Sequence, residues 1–96
     1  MENITYEWLQ GFSSRASQLH KASRSIFITS TDQELLRTIF TFLVYNKFRA
    51  RWSNLGTRYG IRISGKESLL LWKENIGFAS KEKATQLDEL ISMYNK

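Results

Sequence analysis

"KFRARWSNLGTRYGIRISG", residues 47–65, alternates two kinds of side chain on either side of a turn signal. Phe48, Ala50 and Trp52 alternate with Lys47, Arg49 and Arg51. After "SNLG" (53–56), Tyr59, Ile61 and Ile63 alternate with Arg58, Gly60 and Arg62. Successive side chains of a strand point to opposite sides, so this spacing predicts a hairpin with one apolar and one basic face. The apolar face needs a cover, and the basic face is left open.

Upstream, "SQLH" (17–20), the turn "KAS" and "RSIFITS" (24–30) predict a second hairpin rich in β-formers. "TDQE" (31–34) has the spacing of a capping box, with the Thr31 hydroxyl accepting from the Glu34 amide. Behind it, Leu35, Leu36, Ile39, Phe40, Leu43 and Val44 recur at helical spacing. A first helix is expected over about residues 3 to 15. "KESLLLWKENIGF" (66–78) should end near Gly77, and "SKEKATQLDELISMYN" (80–95) is opened by Ser80 as N-cap. The order is helix, hairpin, helix, hairpin, helices. It predicts one α+β domain over residues 1–96, with a four-stranded antiparallel sheet and its helices on the apolar face.

Composition bounds the function. The 96 residues suffice for one core, and 42% hydrophobic content fits a folded domain. There is no cysteine, and the single histidine, His20, argues against a histidine-rich metal site. No apolar run is long enough to span a bilayer and no signal-peptide pattern opens the chain, so an intracellular place, cytoplasm or nucleoid, is expected. The net charge of +5 points to an anionic partner. Between Leu35 and Lys66 there is no Asp or Glu, yet that stretch holds seven of the fourteen Lys and Arg residues.

By strand parity the basic face carries Lys47, Arg49, Arg51, Arg58 and Arg62, joined from the first hairpin by Gln18, His20, Ser25 and Thr29, and Arg24 beside Ser25 is a further candidate for a DNA contact. Such residues bind phosphates and read base edges in the major groove, and a β-ribbon fits that groove. The plain alternative is a solvated face that protects strand edges from aggregation. Five basic residues without an acid among them weigh against it. Phe27 falls on the same face; a stacking ring, a contact for a thymine methyl and a shifted register are the readings it leaves open. Trp8, Trp52 and Trp72 read most simply as core residues, and His20, with no acid or second histidine beside it in sequence, as a surface or base-contacting residue.

The stretch "YEWLQGFSSRASQL" (6–19) breaks a promising helix with Gly11 and a run of small residues. Glycine in a helix costs about 1 kcal/mol relative to alanine, so something should compensate. "LQGFSSRAS" (9–17), "IFITSTDQELLRTIFTFL" (26–43) and "YGIRISGKESLLLWKENIGFASKEKATQLDEL" (59–90), in this order, resemble one repeat of the LAGLIDADG homing endonuclease family. The first keeps the motif's leading Leu, its Gly and an apolar fourth residue. The resemblance covers nearly the whole chain. It implies an αββαββα unit used in pairs, with motif helices packed backbone to backbone and two sheets forming a saddle over DNA. Trp8, Gly11, Phe12, Ser14 and Arg15 would then lie at a homodimer interface, with Gly11 permitting close approach. Arg15 departs from the small residue usual there, and could loosen the interface or contact DNA or a partner's acid.

A second departure concerns chemistry. The family's metal-binding acid, at the eighth motif position, is here Ala16, and the other usual acid, at the sixth, is Ser14. Neither supplies a carboxylate to a divalent metal. The resemblance therefore implies a DNA-binding homodimer on a near-palindromic duplex, without catalytic residues, metal or cofactor, such as a transcriptional regulator. The rivals are an active metal-dependent homing endonuclease, with unusual ligands or a partner supplying the acids, and a basic module for acidic proteins or RNA.

Overall fold

Thr5 accepts a hydrogen bond from the Trp8 amide at 3.0 Å and so starts α1, Tyr6–Ala16. The computed structural model describes residues 4–94, so residue 3 of the expected first helix and Asn95 of the last lie outside the described residues, while Ile4 and Thr5, expected in the first helix, precede it because the Thr5 side chain caps its start. The order continues β1 (Ser17–His20), β2 (Ser25–Ser30), α2 (Gln33–Tyr45), β3 (Ala50–Asn54), β4 (Tyr59–Ser64), α3 (Lys66–Asn75) and α4 (Lys81–Met93). Among the described residues no helix is long and apolar enough to cross a membrane.

The four strands form one antiparallel sheet in the order β1-β2-β4-β3, so the two hairpins meet along β2 and β4. In register, Ile26 lies opposite Ile63 and Ile28 opposite Ile61, all fully buried. Helices cover this face: Leu9 from α1, Leu36, Ile39 and Leu43 from α2, Leu69 and Trp72 from α3, and Leu87 and Leu90 from α4 join the same core. Phe48 and Phe78 flank the Trp72 indole, with ring centroids at 6.1 and 5.7 Å. The α+β architecture with a four-stranded antiparallel sheet is as expected from the alternation, because residues two apart in a strand must share a face.

Four local expectations are corrected. The α2 N-cap is Asp32, whose Oδ1 accepts from the Leu35 amide at 3.1 Å, and not Thr31. A carboxylate is the stronger acceptor at a helix start and also meets the positive end of the dipole. Val44 is half exposed and Phe42 packs instead, because the buried stripe centres on Leu36, Ile39 and Leu43. Lys47 is not in a strand. It sits at φ +70° in the turn after α2, and its amide donates to the Val44 carbonyl. Regular pairing of β3 begins only at Ala50, because Phe48 leaves the strand to enter the core. Arg24 likewise precedes β2, at φ +50°, with its guanidinium 5.4 Å from the Tyr94 ring. Gly77, at φ +67°, closes α3 by donating to the Trp72 carbonyl, as its position predicted.

Candidate nucleic-acid interface

Helix-free, the second face of the sheet is built in rows by the strand register. Gln18, Phe27, Arg62 and Arg51 form one row across all four strands. A second joins His20, Ser25 and Ser64, and continues to Arg49, whose carbonyl accepts from the Ser64 amide. Thr29, Gly60 and Ser53 make a third. Arg58 stands in the loop after β3, where Leu55 N donates to its carbonyl and Gly56 takes φ +89°. Gln18, Arg49, Arg51 and Arg58 are exposed, whereas His20, Thr29 and Arg62 are half-buried. Among the described residues the ion pairs are Lys21–Glu89 and Lys73–Asp88, so no carboxylate neutralises an arginine of this face.

Ser25 falls on this face by register but is 0% exposed, its hydroxyl 2.6 Å from that of Ser23. It cannot offer the contact expected of it. Gln18 Oε1 lies 3.3 Å from His20 Nε2, so these two form a polar pair at the β1 edge. Phe27 is on this face after all, and the register is not shifted. Its ring lies over Gly60: a Cβ placed there would stand 2.6 Å from Phe27 Cζ. Arg62 covers the ring, with its guanidinium carbon 5.4 Å from the centroid, and the His20 ring lies 5.6 Å away. Only 9% of Phe27 remains exposed.

The exposed flank of α1 is the second feature. Trp8 and Phe12 stack at 5.2 Å with an 8° interplanar angle, and Glu7, Gly11 and Arg15 lie on the same open flank. A Cβ built on Gly11 would meet nothing within 4 Å. Among the described residues, therefore, no contact inside the domain requires glycine here. Ser14 does not share that flank. Its hydroxyl donates to the Gln10 carbonyl at 2.7 Å and accepts from the Ala79 amide at 2.8 Å, tying α1 to the start of α4. Trp8 and Trp52 are half-buried, so of the three tryptophans only Trp72 is fully in the core.

Ala16 ends α1, and the polar group that reaches this end is an ammonium. Lys83 Nζ donates to the carbonyls of Ser14 at 2.9 Å and Ser17 at 2.6 Å. It satisfies acceptors that a helix end otherwise leaves open. Burial holds the Lys83 amine below its usual range, partly offset by the neighbouring Glu82 carboxylate. Among the described residues no group of three or more His, Asp or Glu side chains comes together.

Sequence reasoning missed Ser53, Ser64, Gly60 and Lys83. Parity beyond Arg51 and Arg62 points to Ser53 and Ser64, and an isolated glycine within a strand signals a close approach. For Lys83, 66 residues from the carbonyl of Ser17, the sequence carries no signal. No protein-family model, curated protein or solved structure matches the chain.

Proposed function

We propose that this chain binds duplex DNA as a homodimer of LAGLIDADG-like domains, reads its sequence through the open sheet face, and does not cut it. The carrying observation is that Arg49, Arg51 and Arg62 project from one helix-free sheet face, with Arg58 at its hairpin tip and, among the described residues, no carboxylate paired to them. A patch of one sign attracts a polyanion, and Arg side chains suit both phosphates and guanine edges. The element order and the motif-like α1 with its open Gly11 flank support the family reading.

The residues at the end of α1 do not fit the divalent metals that the family uses. Ser14 is engaged with Ala79, the Ala16 side chain has no ligand atom, and the Lys83 ammonium holds the carbonyls of Ser14 and Ser17. The ammonium repels a second cation, and among the described residues no carboxylate cluster is there to hold one. No cleavage step is therefore assigned. A base-stacking RNA platform is disfavoured because the Phe27 ring is 9% exposed and already carries Arg62.

The test is selection of bound duplexes from a random library at about 150 mM salt, where phosphate contacts alone fade. The expected result is a near-palindromic consensus. No enrichment, or metal-dependent cutting of plasmid by the same preparation, would overturn the corresponding half of the proposal.

A further inference from the structure

Phe27, Gly60 and Arg62 make one unit whose parts are otherwise hard to explain. A large apolar ring on the open face of a sheet ordinarily belongs to an interface or a core. Here it lies across the backbone of β4, and Gly60 is the residue that permits this, since any Cβ would strike the ring at 2.6 and 2.9 Å. The ring in turn supports Arg62, its direct cross-strand neighbour, at cation–π distance. Arg62 Nε is buried and has no hydrogen-bond partner among the described residues. Arg51 stands directly opposite Arg62 on β3, and among the described residues no carboxylate pairs with either.

Two of these features cost stability in the free protein. Like charges directly opposite in a sheet repel, and a buried donor without a partner forfeits its hydration. What the arrangement supplies is a guanidinium with its plane and rotamer set before any ligand arrives. A long arginine side chain otherwise gives up considerable rotamer freedom when it binds. A fixed fork matches the O6 and N7 acceptors of guanine, a two-point contact that depends on orientation far more than a phosphate contact does.

We infer that Phe27 is a positioning residue, seated on Gly60, that holds Arg62 ready to read one guanine in each half-site of a duplex. The inference rests on the duplex-binding reading above and deepens it. Arg51, exposed beside it, serves the adjoining phosphate or base, and its charge is relieved when that anion arrives.

The experiment is duplex selection by the full chain with four proteins: wild type, Arg62→Lys, Phe27→Leu and Phe27→Tyr. Wild type should enrich a consensus with a guanine at symmetric positions. Arg62→Lys keeps the charge and removes the fork, so the preference at that position alone should fall about 5- to 150-fold, with the rest of the consensus retained. Phe27→Leu should lose preference at the same position, and Phe27→Tyr, which keeps the ring, should restore it. A purely structural role for Phe27 predicts a uniform loss across the consensus and no positional rescue, which would overturn the inference. So would an unchanged guanine preference in Arg62→Lys, a result that stands even if Phe27→Leu does not fold. A wild type that enriches nothing sinks the duplex reading and this one with it. A wild-type consensus indifferent to both residues sinks this one only.

Discussion

Replacing Gly11 by alanine separates two explanations of the motif-like helix, because they predict opposite signs. Gly11 lies within α1 at a helical φ, and a Cβ there meets open space. Inside one domain the substitution therefore has no steric cost and recovers helix propensity of about 0.8–1.0 kcal/mol. For a domain of this size, 1 kcal/mol moves the unfolding midpoint by roughly 4–8 °C, so the dilute monomer should melt several degrees higher. If two α1 helices meet at Gly11, the same methyl sits in a closely packed contact, and it does so twice across the two-fold axis. Overpacking costs about 1–3 kcal/mol per copy, so dimer dissociation should rise roughly 30-fold or more. Gly11→Leu should be more severe for the dimer and still harmless to the monomer. Thermal unfolding across a dilution series, paired with sedimentation velocity, reads both numbers. A variant destabilised even at monomeric dilution would refute the reasoning, for it would mean that the domain itself needs the glycine. Unchanged mass for Gly11→Leu at every concentration would remove α1 from the interface.

Trp72→Ala should cost about 3–5 kcal/mol, since a fully buried indole packed between Phe48 and Phe78 leaves a cavity. Trp72→Phe should cost distinctly less, because a ring still fills most of the site and the indole N–H it loses has no hydrogen-bond partner among the described residues; equal midpoints for the two variants in a denaturant titration would contradict that. Lys83→Met should destabilise by about 1–3 kcal/mol at neutral pH by leaving the Ser14 and Ser17 carbonyls without their donor. The folded amine titrates below its ordinary value near 10.5, so in the interval between, the unfolded chain binds more protons and wild type gains stability as pH rises. The gap between wild type and Lys83→Met in thermal melts should accordingly widen, and a narrowing gap would be the wrong sign. Arg58→Ala should lower the slope of log binding constant against log salt by about 0.9 without altering the selected consensus, as befits a single phosphate contact at a loop tip.

Alternation at period two was enough to write down the second hairpin, with Ile61 and Ile63 on its apolar face and the basic face opposite, and β-forming residues around a turn marked the first, because strand geometry leaves a side chain only two directions. The helix start at Ser80 and the stop at Gly77 are local backbone chemistry, and they too are readable residue by residue, whereas the first helix starts at Thr5 and not near residue 3. Parity says nothing about depth, however, and depth is where the site changed. Ser25 has the correct parity for the open face yet is sealed beside Ser23, and Lys47 is basic and adjacent but lies in a turn. Ser14 resembles an interface residue in the one-dimensional motif, whereas its hydroxyl is held by the Ala79 amide from the far end of the chain. Pairing β2 with β4 brings Phe27 over Gly60 and beneath Arg62, across a gap of more than thirty residues in sequence. Local periodicity determines which face a side chain joins. Which neighbours it meets there is decided only when distant strands dock, because burial of the shared core sets the register for both faces at once.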